Sequence, residues 1–198
     1  VGTMTYQAYR SSMMKRYASE AVTIAKLAAS YLDGDEMVRY SITREKDAEY
    51  ERMAAILDNI KEQSGVLYLY VVKPVSEDST VYLFDAAAAN ETNYLAKLGD
   101  RGDWNENFKL AKEAMATGEP NSDLEPTMTQ LGYLASAYVP VKDHTGTPVA
   151  VVGVDFTMDE IQTFLKYSLK NLLVIMALLI TGCFLVLLVL VNSSIISP

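Results

Sequence analysis

One run of twenty residues constrains this chain more than any other feature of its sequence. From Leu172 to Val191 no side chain is charged, and only Thr181 and Gly182 interrupt the apolar character. A helix of that length extends about 30 Å, which matches the thickness of the hydrocarbon core of a bilayer. We therefore predict that the chain crosses a membrane once near its carboxyl end.

The residues before this run are expected to form one acidic domain. Every charged residue lies at or before Lys170, so the domain carries the whole net charge of −8. That charge disfavours nucleic acid as a partner. The single cysteine, Cys183, excludes an intrachain disulfide and cysteine-rich zinc modules. Because the chain opens at Val1, we expect it to be a segment of a longer protein.

Helical periodicity dominates the first third of the sequence. Apolar and small side chains recur every three or four residues from Tyr6 to Tyr31, which predicts one long helix that stops at Gly34. A second amphipathic helix is predicted to begin after Ser41 or Thr43 and to end at Gly65. Two helices are thus expected before the first strand.

The pattern then changes to β-branched and aromatic residues, which favours strands. The predicted strands are Val66–Val72, Val81–Phe84, Tyr133–Val141 and Pro148–Phe156. Their short connections predict antiparallel hairpins. The long stretch from Asp85 to Leu131 is expected to be a mostly irregular binding loop with one short helix near Asn107–Thr117. Thr157 and Glu160 form a capping-box pattern, so a helix starting at Met158 is predicted to run into the span.

These elements predict an α/β (α+β) fold. It has a long N-terminal helix, a second helix, an antiparallel sheet of four to six strands and a C-terminal helix that continues into the membrane. The expected divisions are a stalk helix at 1–34, a ligand-binding core at 35–157, a signalling and transmembrane helix at 158–191 and the start of a linker at 192–198.

The last predicted hairpin, formed by the strands Tyr133–Val141 and Pro148–Phe156, has a recognisable sequence pattern. Residues 135–143 read Ala-Ser-Ala-Tyr-Val-Pro-Val-Lys-Asp, Gly146 follows, and residues 149–155 read Val-Ala-Val-Val-Gly-Val-Asp. Together with Val-Tyr-Leu-Phe-Asp at 81–85, this pattern resembles that of Cache domains. Cache domains are the PAS-like extracellular sensor domains of bacterial chemoreceptors, sensor histidine kinases and cyclic-dinucleotide enzymes. The likeness covers roughly residues 5–170 and suggests the single-module form. Residues 195–198, Ile-Ile-Ser-Pro, resemble the opening of a HAMP linker.

The resemblance implies a non-enzymatic, extracytoplasmic domain that binds a small molecule and passes the signal across the membrane by helix movement. It also implies a homodimeric receptor in the cell membrane. The ligand is expected to be an amino acid, an organic acid or an amine, without a metal or cofactor. Two alternatives stay open: a membrane-anchored surface module that binds other proteins, and a tethered hydrolase.

Seven polar or aromatic residues are candidates for the ligand site because they combine carboxylates, a guanidinium group and aromatic walls. They are Tyr82, Asp85, Arg101, Trp104, Tyr133, Tyr138 and Asp155. In Cache domains that bind amino acids, an Arg and a Trp in the middle segment and an Asp ending the last strand contact the ligand. Arg101, Trp104 and Asp155 resemble those positions.

Each candidate also has a plain structural interpretation. Arg101 stands between two aspartates and can form a surface ion pair, and Trp104 can be a packing residue. The aspartates can cap strand or helix ends, and tyrosines are common in half-buried strands. His144 is expected to be a solvated turn residue, and the sequence contains none of the G-x-S-x-G, H-E-x-x-H or phosphate-loop motifs.

Overall fold

The computed structural model describes residues 2–89, 95–105, 108–121, 123–129 and 132–196. It divides the chain into two compact units, Val1–Met158 and Asp159–Pro198. The first unit contains the helices that open the chain, the sheet and the candidate site. The second is a helical unit, and the two are described separately.

Three helices precede the sheet, so the expectation of two is wrong. They are α1 at Gly2–Ala29, α2 at Gly34–Thr43 and α3 at Ala48–Ser64. Gly34, read as a stop signal, begins α2 because Asp33 accepts a hydrogen bond from the Asp35 amide at 2.8 Å and caps the helix. Acidic residues in the first turn add a favourable interaction with the helix dipole.

The next cap also differs from the expected one. The carboxylate of Asp47, rather than Ser41 or Thr43, accepts from the Tyr50 amide and starts α3. Arg44 ends α2 in the left-handed conformation, with φ 56°. Gly65 ends α3 in the same conformation, as predicted.

The described strands form one antiparallel sheet of six strands. They are β1 at Tyr68–Pro74, β2 at Ser79–Asp85, β3 at Arg101–Asp103, β4 at Glu125–Thr129, β5 at Gly132–Lys142 and β6 at Pro148–Thr157. Their order is β3-β2-β1-β6-β5-β4, so the first and last strands are central neighbours. The predicted α+β class, with an antiparallel sheet of four to six strands, is confirmed.

The two faces of the sheet pack against different helices. On one face the N-terminal helices supply aromatic contacts: Tyr17 of α1 lies 5.6 Å from Phe156, and Tyr50 of α3 stacks on Phe84 at 4.5 Å, ring centroid to ring centroid. On the other face lies α4 at Lys109–Thr117, whose Ala111 and Ala114 are buried against the sheet. Because side chains alternate along a strand, Val151, Gly153 and Asp155 of β6 all face α4.

The middle of the chain is more ordered than the sequence suggested. The short helix is present as α4 and is ended by Gly118, but β3 and β4 were not expected. Parts of the predicted loop, including Asn107 and Leu131, lie outside the described residues. The carboxyl-terminal unit belongs to α5, Met158–Ile196, of which Ile161–Asn192 is long and apolar enough to cross a membrane. Ser197 and Pro198, the end of the predicted HAMP-like linker start, lie outside the described residues.

Candidate functional site

A carboxyl group is buried on the α4 face of the sheet. Asp155 lies on β6 between Tyr68 of β1 and Ser136 of β5, and only 4% of its surface is exposed. Tyr70 donates a hydrogen bond to its Oδ1 atom at 3.4 Å, and the Ser136 hydroxyl is a second partner. Asp155 is therefore held in place by the strands on both sides of it.

Burial raises the pKa of Asp155 from 3.8 to about 7 because the charged form loses its hydration. The hydrogen bonds from Ser136 and Tyr70 lower the pKa, and the nearby charge of Asp85 raises it further. Near neutral pH this carboxyl group is therefore balanced between its neutral and ionised forms. A cation placed beside it would favour the ionised form.

Gly153 allows the Tyr70 ring to reach Asp155. The two residues Tyr70 and Gly153 are direct neighbours across β1 and β6. A Cβ atom at position 153 would lie 2.4 Å from Cε2 and Cζ of Tyr70, which is far inside van der Waals contact. The absence of a side chain thus lets the ring lie over β6 with its hydroxyl beside the carboxyl group.

Six aromatic side chains pack together on this face of the sheet, and we call them the aromatic cluster. Its members are Tyr68, Tyr70, Tyr82, Trp104, Phe108 and Tyr138. Trp104 stacks on Phe108 at 5.5 Å, and Phe108 lies 6.4 Å from Tyr138, both measured between ring centroids. Tyr138 shares a hydrogen bond with Tyr70, so the cluster is connected to Asp155 through hydrogen bonds as well as by packing.

A bulge in β2 places two predicted residues on this same face. Tyr82 and Asp85 are three residues apart and would point to opposite faces of a regular strand. The register of β1 and β2 shifts between Val71 and Val72, so that Asp85 pairs with Tyr70 and Tyr82 pairs with Val72. Burial, followed by the charges of Asp85 and Asp155, raises the pKa of Tyr82 to about 12.

Asp85 also closes a turn and borders a cleft. Its carboxylate accepts a hydrogen bond from the Ala96 amide at 2.8 Å, which draws the chain before β3 toward the end of β2. The cleft beside it has a volume of about 300 Å³ and lies between α3 and residues 95–98. Asp85 therefore lies opposite Tyr70 in the sheet and also borders this cleft.

Three charged residues of α3 hold the backbone that follows β2, and the sequence analysis missed them. Lys61 donates to the Ala86 carbonyl at 2.8 Å, Asp58 accepts from the Ala87 amide, and Glu62 accepts from the Ala89 amide. Lys61 is itself buried, with its ammonium group 5.7 Å from the centroid of the Tyr68 ring. The spacing of three and four residues between them was the available signal, since it places them on one side of a helix.

Two of the seven predicted residues lie away from the aromatic cluster. Arg101 is exposed on the edge strand β3, where it pairs with Val81. Tyr133 is 38% exposed, and by strand alternation it lies on the opposite face of β5 from Tyr138. The other five, Tyr82, Asp85, Trp104, Tyr138 and Asp155, lie on or beside the α4 face.

The single histidine and the possible metal ligands were the other candidates for a functional site among the described residues. His144 is in the turn between β5 and β6 with its side chain 75% exposed, and its Nδ1 atom lies 2.9 Å from both carboxylate oxygens of Asp35. Within the described ranges, no group of three or more His, Cys, Asp or Glu side chains is arranged to hold a metal ion.

The solved structures that match this chain include several sensor domains. The sensor domain of Escherichia coli DcuS is 14% identical, with a TM-score of 0.48, and the match covers 79% of this chain and 96% of that one. In all, 71 chains of solved structures match this chain, and the neighbours named here are sensor domains, as are the Cache-type domains that the sequence resembles.

Two further matches are chemoreceptor domains. The ligand-binding domain of Pseudomonas aeruginosa PctC, solved with GABA, is 12% identical with a TM-score of 0.48, and the match covers 81% of this chain and 65% of that one. The domain of Campylobacter jejuni Tlp3, solved with L-valine, is 12% identical with a TM-score of 0.39, and the match covers 79% of this chain and 66% of that one. This chain thus spans about two thirds of these two domains. No family model and no curated protein matches the chain.

Proposed function

We propose that this chain is the extracytoplasmic small-molecule sensing domain, with its membrane helix, of a bacterial transmembrane signalling receptor. The observation that carries the proposal is the Asp155 carboxyl group, buried beside the aromatic cluster and hydrogen-bonded by Tyr70 and Ser136. The domain itself binds and does not catalyse.

A carboxyl group in this position is costly to the fold, which favours a binding role over a structural one. Burial disfavours its ionised form, and an apolar side chain of similar volume would fill the same space without that cost. Groups with a pKa displaced by burial occur preferentially at functional sites. Asp155 is such a group, and it lies on β6, one of the two central strands of the sheet.

The surrounding rings supply what a small ligand requires. Tyr and Trp side chains offer a large apolar area together with a hydroxyl or indole N–H that can orient the ligand. Tyr68, Tyr82 and Phe108 are only partly buried, so they form the border of the aromatic cluster. We infer that the ligand reaches Asp155 by displacing these border rings, while Tyr70, Trp104 and Tyr138 form the inner wall.

Asp155 is close in sequence to the helix that is predicted to cross the membrane. Asp155 precedes Met158, the first residue of α5, by three positions, and α5 then continues without a break to Ile196. We propose that ligand binding at Asp155 favours one arrangement of β6 and that α5 passes the difference across the membrane, in a homodimer, to an output module beyond a HAMP-like linker. This requires that the ligand bind the two arrangements with different affinity.

The test is a ligand screen by thermal unfolding of the full chain in detergent micelles. Trp104 is the single tryptophan and belongs to the aromatic cluster, so its fluorescence reports changes in the packing of that cluster. Amino acids, organic acids and amines are compared. A ligand at a hundred times its Kd should stabilise the fold by about 2.7 kcal/mol, equivalent to a shift of several degrees in Tm.

The matched variants are Asp155→Asn and Asp103→Asn, because Asp103 is an exposed aspartate on the edge strand β3. A hit that is lost in the first variant and kept in the second supports the proposal. A hit that survives Asp155→Asn unchanged refutes the assignment of the site. If no compound stabilises the folded chain, a surface module that binds other proteins becomes the better account.

A further inference from the structure

We propose that one side of α5 binds an acidic phospholipid, with the phosphate of the headgroup on Lys166 and Lys170 and an acyl chain along the apolar side chains that follow them. This inference rests on one part of the proposed function, the placement of α5 in a membrane, and is independent of the ligand site at Asp155. All of the residues that carry it belong to the carboxyl-terminal unit, Asp159–Pro198.

The side of α5 in question is a shallow groove with a charged end and an apolar remainder, and we call it the α5 stripe. It is lined by Lys166, Leu169, Lys170, Leu173, Val174 and Ala177. Residues three and four positions apart lie on the same side of a helix, so these six side chains follow one another along the helix axis. The α5 stripe therefore presents ammonium groups at one end and only apolar side chains beyond them.

The two lysines carry the last charged side chains in the sequence. Both are exposed, and they lie one helical turn apart, at about 6 Å between their Cβ atoms. No Asp or Glu stands three or four positions from either Lys166 or Lys170, so neither has an ion-pair partner one turn away on α5. Two adjacent ammonium groups without a carboxylate between them are suited to a phosphate group.

The position of the lysines along α5 matches the headgroup level of a bilayer. The uncharged run begins at Leu172, two residues after Lys170. Tyr167, between the lysines, is 64% exposed, and tyrosine is enriched where a membrane meets water. From Leu169 to Ala177 the α5 stripe extends about 12 Å, within the roughly 15 Å of hydrocarbon in one leaflet. A phospholipid in that leaflet thus has its phosphate level with the lysines and its chains level with the apolar side chains.

A second copy of α5 is a less suitable occupant of the α5 stripe. Two helices packed through this side would bring four ammonium groups together at the edge of the hydrocarbon region, where like charges are poorly hydrated. An acidic lipid instead supplies the opposite charge. We therefore expect the homodimer to use another side of α5.

The test measures lipid binding to the full chain in a neutral detergent by native mass spectrometry. Phosphatidylglycerol and phosphatidylcholine with the same acyl chains are compared, since only the first carries a net negative charge. Phosphatidylglycerol should bind about thirtyfold tighter, the factor expected for two lysines near an anionic membrane surface. Glycerol 3-phosphate, which has the phosphate without acyl chains, should not displace the lipid at equal concentration because it cannot contact the apolar part of the α5 stripe.

Two double variants with the same change of charge locate the binding. Lys166→Gln with Lys170→Gln should abolish the preference for phosphatidylglycerol. Lys26→Gln with Lys109→Gln, which removes two exposed lysines of the first unit, should retain it. The inference is wrong if the unmodified chain binds both lipids equally, if glycerol 3-phosphate displaces the lipid, if the first variant keeps the preference or if the second loses it.

A flotation gradient with phosphatidylcholine vesicles tests the membrane placement separately. The full chain should rise with the vesicles, because α5 contains a segment long and apolar enough to cross a bilayer. A chain that stays behind refutes both the membrane helix and the lipid inference. A chain that rises but shows no lipid preference refutes the lipid inference alone and leaves the sensor proposal standing.

Discussion

Replacing Asp155 with asparagine should change how the stability of the domain depends on pH. In the folded protein the carboxyl group has a pKa of about 7, against 3.8 when it is hydrated. Between these two values the folded state holds a proton that the unfolded state has released. Stability therefore falls as pH rises through this window and becomes constant above about pH 7.

The size of the effect follows from the displacement of the pKa. A rise of about three pH units, at about 1.4 kcal/mol each, corresponds to at most about 4 kcal/mol of stability lost between pH 4 and pH 8. Asparagine does not titrate, so Asp155→Asn does not suffer this loss. The difference in unfolding free energy between variant and unmodified chain should therefore grow by up to about 4 kcal/mol across the window, in favour of the variant.

Urea unfolding in micelles, followed by Trp104 fluorescence at several pH values, measures this difference. Asp103→Asn is the control because it removes an exposed carboxylate on β3 and leaves the buried one in place. The groups that face Asp155 are Tyr70 on β1, Asp85 on β2 and Ser136 on β5, and all of them are retained in both variants. A difference in unfolding free energy between Asp155→Asn and the unmodified chain that stays constant from pH 4 to pH 8 would refute the claim that Asp155 is buried in its neutral form.

Three further results are expected. Gly153→Ala should destabilise the fold by about 1–3 kcal/mol, because the new Cβ atom would lie 2.4 Å from the Tyr70 ring, and combining it with Tyr70→Leu should cost less than the sum of the two single changes in urea unfolding. Lys61→Met should cost about 1–3 kcal/mol by the same assay, because it leaves the Ala86 carbonyl without its donor, whereas Lys109→Met at an exposed position should have little effect. In a chain whose Cys183 is replaced by serine, a cysteine is introduced at the exposed Glu113. This cysteine should react in intact cells with a maleimide that cannot cross membranes. Labelling only after lysis would contradict the extracytoplasmic location.

The strands were predictable because their signal is local. The β-branched and aromatic runs and the short connections between them define four of the six described strands to within a few residues. The three residues of β3 have no such pattern, since Arg101–Asp103 forms a strand by pairing with β2. Strand formation there depends on a neighbour that is distant in sequence.

The helix α2 was missed for a similar reason. Gly34 was read as a terminator, but a Cβ atom at this position would lie 2.3 Å from the Lys142 carbonyl oxygen. The residue is small because the start of α2 approaches the turn between β5 and β6. Such a close approach between distant parts of the chain leaves no local trace in the sequence.

The residues of the candidate site also divide into those that the sequence indicated and those that depend on contacts between distant strands. Asp155 and Trp104 could be named from the resemblance to a family, and the structure places both on the α4 face of the sheet. Ser136 and Tyr70 could not be named, because their roles depend on the register of β5 and β1 against β6. Tyr82 and Asp85 share a face only through the bulge in β2, which no pattern in the sequence indicated.

The most direct test of the account is the titration of the Asp155 carboxyl group by NMR, using isotope-labelled aspartate, with and without a saturating amino acid or amine identified by the thermal screen. Without ligand, the account predicts a pKa of about 7. With such a ligand bound, the ion pair between its ammonium group and Asp155 should lower that pKa by at least about one unit, which corresponds to about 1.4 kcal/mol of interaction. A bound ligand of this kind that leaves the pKa of Asp155 unchanged would place the ligand elsewhere and contradict the central claim.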